Sequence, residues 1–168
     1  FYIASEPAYN KLFQNNGDLT FSDVTKTSGT EVLGIGSGVG NADLDDDGFL
    51  DLFLTNRTFY NSDKQITESD RNYLLRNKGN GNNWIKIELT GTKSNTNAYG
   101  ARVKVMAGES IQYREHTSAH GYNSANDYRL HFGLANEESI DTIEIIWPSG
   151  ERQLLTDVAV NQTLSIEE

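Results

Sequence analysis

Asp43-Leu44-Asp45-Asp46-Asp47-Gly48-Phe49-Leu50-Asp51 is the stretch from which the rest of this chain is read. Carboxylates stand at loop positions 1, 3, 5 and 9, and glycine stands at position 6. That spacing is a calcium cradle. Like charges packed into one turn repel unless a hard cation lies among them. Calcium accepts six to eight oxygens and tolerates irregular geometry. Asp43, Asp45, Asp47 and Asp51 are therefore the candidate carboxylate ligands, and the backbone carbonyl of Phe49, at position 7, is the candidate neutral one. Gly48 permits the reversal that turns several oxygens inward.

The flanks decide the context. An EF-hand needs a bidentate Glu at position 12, where this chain has Leu54, and it needs flanking helices. Here a short glycine-rich run, Ser37-Gly38-Val39-Gly40-Asn41-Ala42, precedes the loop, and an apolar run of strand length, Leu52-Phe53-Leu54-Thr55, follows it. The loop is expected to join two strands, with the ion stapling a hairpin. The unbroken Leu52-Phe53-Leu54 run predicts a strand covered on both faces.

Composition narrows the function classes. A net charge of −10 argues against nucleic acid and anionic membrane surfaces and suits a protein that holds divalent cations. No cysteine is present, which excludes disulfides, thiolate metal sites and thiol nucleophiles. No apolar run approaches the roughly 18 residues a membrane span needs. No signal peptide is visible, and the chain opens at Phe1-Tyr2-Ile3-Ala4, as a mature product or an excised fragment would. Weak Asp-rich calcium sites belong outside the cytosol, where free calcium is high.

Helical periodicity is nearly absent, and strand-like runs alternate with Gly, Asn, Ser and Asp clusters. Asn10-Lys11-Leu12-Phe13-Gln14-Asn15-Asn16-Gly17 matches Asn72-Tyr73-Leu74-Leu75-Arg76-Asn77-Lys78-Gly79, with the loop between the copies. Asn61 to Asp70 reads as a polar insertion. Repeats of this kind suggest propeller blades. Beyond Gly79-Asn80-Gly81-Asn82-Asn83 the pattern changes. Strands are expected at 84–89, 101–106, 111–115, 128–132, 140–147, 152–155 and 163–166, which makes a β-sandwich. Trp84 and Trp147 fall in alternating strands and are expected in or near its core.

The first part resembles the FG-GAP or VCBS repeat, the blade unit of integrin-α-like propellers, through Gly40-Asn41-Ala42-Asp43-Leu44-Asp45-Asp46-Asp47-Gly48-Phe49-Leu50-Asp51-Leu52-Phe53 and the flanking Asn-x-Leu-x-x-Asn-x-Gly pieces. The second part resembles the ASPIC/UnbV domain. Its matching pieces are Asn83-Trp84-Ile85-Lys86-Ile87-Glu88-Leu89-Thr90-Gly91, Gly100-Ala101-Arg102-Val103-Lys104-Val105, Gln112-Tyr113-Arg114-Glu115, Gly121-Tyr122-Asn123-Ser124, Leu130-His131-Phe132-Gly133-Leu134 and Ile145-Ile146-Trp147-Pro148-Ser149-Gly150. The resemblance implies extracellular, calcium-associated interaction modules. It brings no catalytic activity, and further N-terminal blades would belong to a parent protein.

The remaining candidates are read as structural. His116 and His120 are four apart beside Glu115, but Thr117-Ser118-Ala119 and Gly121-Tyr122 read as loop, where that spacing carries no zinc geometry. His131 lies between Leu130 and Phe132, so it faces away from an apolar face and reads as a hydrogen-bonded structural histidine. No G-x-S-x-G elbow is present, and Gly34-Ile35-Gly36-Ser37-Gly38 lacks the Lys-Ser/Thr of a phosphate loop. Phe59-Tyr60, Tyr99, Tyr113, Tyr122 and Tyr128 are candidates for stacking on sugar rings. Asn56-Arg57-Thr58 and Asn161-Gln162-Thr163 fit the N-glycosylation pattern.

The sequence thus predicts an all-β chain with a blade-like calcium-loop β unit over 1–80 packed on a β-sandwich over 83–168. The expected role is a non-enzymatic, extracellular, calcium-binding adhesion or interaction module within a larger secreted protein, with a protein or glycan partner. Two other readings stand beside it. One is a carbohydrate-binding module of a polysaccharide-acting assembly, and the other is an enzyme domain of unknown chemistry.

Overall fold

The computed structural model describes residues 1–4, 8–34, 36–61, 66–69 and 71–168. It is an all-β structure that divides into two compact units. The first comprises Phe1–Ala42, Leu50–Asn77 and Ala119–Asn126, and the second Asp43–Phe49, Lys78–Ser118 and Asp127–Glu168. The acidic loop therefore groups with the later sequence, and a segment of the later sequence groups with the earlier.

In the first unit the strands are β1 (Tyr2–Ile3), β2 (Ala8–Tyr9), β3 (Lys11–Asn15) and β4 (Phe21–Asp23), then the one-turn helix α1 (Thr25–Ser28). β5 (Leu33–Gly34), β6 (Gly36–Ala42), β7 (Asp51–Asn56), β8 (Thr58–Asn61), β9 (Ile66–Ser69) and β10 (Tyr73–Leu75) follow. Its larger sheets run β1-β3-β4 and β10-β7-β6. β6 and β7 form the expected antiparallel hairpin, with Ala42 opposite Asp51 and Val39 opposite Leu54.

The glycines of β6 have a steric reason. A Cβ on Gly40 would lie 2.7 Å from the Ala125 carbonyl oxygen, and one on Gly38 would lie 3.2 Å from that of Asn123. The Gly121-Tyr122-Asn123-Ser124 piece thus runs close along this strand, and Asn126 Oδ1 accepts the Asn41 amide at 3.1 Å.

One expectation for this unit is corrected and another refined. The β7 run is not covered on both faces: Leu54 is buried, but Phe53 is 45% exposed. Alternation sends Phe53 to the opposite face from Leu54. Its cross-strand neighbours there are Gly40, which offers no side chain, and Leu74, itself exposed. The refinement is that the polar insertion carries a strand, β9, which pairs with β8, Thr58 opposite Ser69. Residues 62–65 and 70 of that stretch, and the side chains of Phe59 and Tyr60, lie outside the described residues. The internal repeat has a structural counterpart. Each copy holds a strand, β3 or β10, followed by a glycine of positive φ, Gly17 at 84° or Gly79 at 69°.

In the second unit the strands are β11 (Asn83–Thr90), β12 (Arg102–Ala107), β13 (Ser110–Glu115), β14 (Leu130–Ala135), β15 (Ser139–Ile146), β16 (Arg152–Ala159) and β17 (Gln162–Glu167). They form a three-stranded sheet, β14-β11-β17, and a four-stranded sheet, β13-β12-β15-β16. β11 pairs antiparallel with β14 and parallel with β17. The core draws Ile85, Ile87, Leu89, Phe132, Leu134 and Ile166 from the first sheet and Val103, Val105, Ile140, Ile143 and Ile145 from the second. Trp147 completes it, its indole donating to Gln153 Oε1 at 3.2 Å. Strand 128–132 of the sequence reading begins instead at Leu130, because Asp127 and Arg129 pair with each other ahead of it.

The chain's last residue is held in a nest of donors. The Glu168 carboxylate accepts the amides of Thr92 at 3.0 Å, Lys93 at 2.9 Å and Ser94 at 2.6 Å, together with the hydroxyls of Ser94 and Ser149. Desolvation alone would raise its pKa, but the Ser149 and Ser94 donors outweigh that and bring it from 4.5 to about 2. A carboxyl whose pKa falls on folding stabilises fully above its unfolded value and loses that contribution as pH falls through the folded one. The melting temperatures of the native chain and Glu168→Gln should therefore differ above pH 4.5 and converge towards pH 2. A gap that stays constant across that range would contradict the nest.

Candidate metal centre

Asp43, Asp45 and Asp47 each place a carboxylate oxygen within 4.8 Å of those of the other two. Among the described residues this is the one such group of His, Asp and Glu side chains. The loop builds itself around Asp43, which is 2% exposed. Its Oδ1 accepts the Asp47 amide at 3.0 Å, and its Oδ2 accepts the Gly48 amide at 2.9 Å. Asp47 Oδ1 in turn accepts the Phe49 amide at 3.0 Å. These are Asx-type turns, in which a short carboxylate takes the place of a backbone acceptor.

Gly48 has φ +92°, and a Cβ there would fall 1.8 Å from Trp84 Nε1, so both its conformation and its surroundings require glycine. The remaining expected ligands sit as follows. Phe49 is half-buried beside Gly79. Asp51 is buried at the start of β7, where its Oδ1 accepts the Asn77 amide at 2.8 Å. Asp51 is not a member of the trio.

The second face of β11 and β14 carries what the sequence reading did not anticipate. Ile85, Ile87 and Leu89 point into the core, so Trp84 and Lys86 point the other way. Lys86 is 1% exposed. Its Nζ donates to Asp43 Oδ2 and to Asp46 Oδ1, both at 2.7 Å, and lies 5.0 Å from the Trp84 ring. Arg129 donates to Asp46 Oδ1 at 3.1 Å and to the Asp43 carbonyl at 3.4 Å. Asp127 holds the guanidinium through its Nε and Nη2.

His131 Nε2 lies 2.8 Å from the Gly48 carbonyl oxygen, and its ring stacks near Trp84 at 6.4 Å between centroids. A carbonyl only accepts, so Nε2 carries the proton. Trp84 is accordingly a half-buried cover for the loop, whereas Trp147 is the core tryptophan.

The charges follow these contacts. The hydrogen bond from Lys86, then that from Arg129, hold the Asp46 carboxyl below its usual range. Burial presses the Lys86 ammonium towards neutrality, but its bonds to Asp43 and Asp46 prevail and its pKa is raised. Burial lowers the His131 pKa against the pull of the Gly48 carbonyl.

His116 is buried, its ring 5.1 Å from that of Tyr99. His120 belongs to the other unit. Neither belongs to the metal-ligand group above.

The donor set fits a hard divalent cation. It offers carboxylate oxygens converging on one turn, in a loop whose buried carboxylate already draws in an ammonium. Lys86 and Arg129 leave no like-charged barrier to the fold itself. Among the described residues no helix is long and apolar enough to cross a membrane.

Comparison with known proteins matches two family models to this chain. The family model described as FG-GAP-like repeat matches residues 1–54, and that described as ASPIC and UnbV matches residues 91–168. Cartilage acidic protein 1 of Mus musculus and of Homo sapiens are each 27% identical over 154 residues, spanning 84% of this chain and 21% of theirs. The Xenopus tropicalis protein of that name is 25% identical over 174 aligned positions, spanning 95% of this chain and 24% of its own. The chain thus spans under a quarter of the curated relatives it matches.

Proposed function

We propose that this chain, which carries an FG-GAP-like repeat followed by an ASPIC and UnbV domain, is a non-enzymatic calcium-binding interaction module that works outside the cell as part of a longer protein. The observation that carries the reading is the convergence of Asp43, Asp45 and Asp47. These three would hold the ion, with the Phe49 carbonyl from the same turn as a further ligand. Calcium would supply further positive charge to a turn in which Lys86 and Arg129 already meet Asp43 and Asp46. Asp43 is braced by two loop amides and Asp47 by its own bond to Phe49, so the turn is preshaped and ordering it on binding costs little. The resemblance to families of interaction modules supports a binding role.

Calorimetric titration with calcium should show one site, with a dissociation constant of order 10⁻⁴–10⁻³ M as in extracellular modules. At free calcium about ten times that constant, the folded state gains about 1.4 kcal/mol. Asp45→Ala should weaken binding severely, since it removes one charged oxygen donor from an exposed position without disturbing the buried Asp43. No heat at millimolar calcium would refute the reading.

Exposed tyrosines favour a second reading, binding of a glycan. Tyr113 is 66%, Tyr122 79% and Tyr128 56% exposed, although Lys104 lies over the Tyr113 ring at 5.9 Å and Arg129 over the Tyr128 ring at 5.8 Å. A glycan array that retains the native chain and loses it on Tyr113→Ala or Tyr122→Ala would support this reading.

A further inference from the structure

We propose that Lys86 is a tethered counter-cation of the calcium loop, sharing Asp43 with the metal ion so that the loop stays folded without calcium and binds calcium more weakly than its carboxylates alone would. The inference rests on the calcium reading and concerns a residue which that reading does not use.

Three observations carry it. First, Lys86 sits where an aliphatic strand has no need of a charge. Its backbone neighbours Ile85 and Ile87 are fully buried, and its own side chain is only 2% exposed. A buried ammonium is costly unless it is paired. Its presence therefore demands the two carboxylates it meets. Second, one of those carboxylates is Asp43, the residue around which the loop is built and a member of the metal-ligand trio. A cation that enters the trio shares an oxygen donor with the ammonium. Third, the arrangement is fixed from several sides. Trp84 covers the ammonium at 5.0 Å, Asp46 holds it from the solvent side, and Arg129, itself held by Asp127, holds Asp46. The ammonium does not swing away into water without breaking these contacts. It compensates Asp43 when calcium is absent and repels calcium when calcium arrives.

The test compares Lys86→Met and Lys86→Gln, which remove the charge, with Lys86→Arg, which keeps it. Each is made in the full 168-residue chain. Calcium chloride is titrated calorimetrically after chelator treatment. The neutral variants should bind calcium about tenfold tighter or more, because one unit charge a few ångströms from a divalent ion is worth at least that at an effective protein dielectric. They should also melt lower than the native chain without calcium and show a larger rise in melting temperature with it. Lys86→Arg should resemble the native chain in affinity.

Unchanged or weaker affinity in both neutral variants overturns the counter-cation role and leaves the calcium reading intact. No calcium heat in the native chain or any variant overturns both. A native chain silent at millimolar calcium refutes the calcium reading whatever Lys86→Met does, and the shared-ligand proposal falls with it. Should the neutral variants fail to fold, the native chain still decides. The Lys86 side-chain methylene resonances should shift with calcium at the stoichiometry of binding, and resonances that stay still while calcium binds overturn the proposal.

Discussion

Replacing Trp147 with alanine is expected to destabilise the sandwich by about 3–5 kcal/mol, the range for removing a large buried aromatic. Trp147 is 2% exposed and packs in the core shared by the two sheets. It also fixes the turn after β15. Its amide donates to the Glu151 carbonyl, and its carbonyl accepts the Gly150 amide, both at 2.9 Å. The alanine variant keeps those backbone bonds and loses the ring, so the cost reports packing and cavity formation rather than loss of the turn. Its indole bond to Gln153 goes as well, but Gln153 is not fully buried and regains water. Urea unfolding followed by far-ultraviolet circular dichroism measures the loss. A difference below about 1 kcal/mol would place the ring outside a close-packed core.

That core was readable because alternation carries it. Ile85, Ile87 and Leu89, or Val103 and Val105, recur every second residue, and a strand sends every second residue to one face. The expected bounds of β11 and β12 lie within a residue of the observed ones, whereas β14 and β16 run three and four residues past their expected ends. Where the first unit departed, local cues were weak. The Leu52-Phe53-Leu54 run looks buried throughout because three apolar residues in a row carry no alternation. Whether Phe53 finds a cover depends on partners across the sheet, and these are Gly40 and Leu74. The grouping of Ala119–Asn126 with β6 was also hidden. The glycines of β6 signal that some backbone comes close, but not which one.

The loop was legible for a different reason. Its oxygen donors are contiguous in sequence, so spacing alone specifies them, and Gly48 marks the turn. What spacing cannot reveal is the partner that arrives from 40 residues away. Lys86 occupies a position that reads as the solvated face of an alternating strand, and a lysine there is the commonest solvated residue. The face is in fact covered, by the loop itself, and the lysine is the residue that makes an acidic cover tolerable. Arg129 and His131 share that concealment, since each reads as a polar residue beside apolar strand positions. A faint signal was available in Trp84-x-Lys86, where a large aromatic and a long cation stand together on the face assigned to water.

Asp43→Ala, measured in chelator without calcium, should cost about 3–5 kcal/mol, as breaking a buried ion pair by removing one partner does. Asp43 and Lys86 are both buried and 2.7 Å apart. Removing the carboxylate leaves the ammonium enclosed with only Asp46 to meet it, and the Asp46 side chain is 72% exposed, where an ion pair is worth little. The Asp47 and Gly48 amides lose their acceptor in the same step, so the turn loosens as the charge is stranded. Asp43→Ala combined with Lys86→Met removes both charges and should recover a large part of the loss, because the expensive species is the lone buried charge. The coupling energy from the four chains isolates the pair, since the two residues are in contact and their effects are not independent. Fluorescence of Trp84 gives a local probe, as its indole lies against Gly48. Additive losses in the double variant, or a single-variant cost below about 1 kcal/mol, would mean that the two side chains are solvated and that the loop does not close over β11.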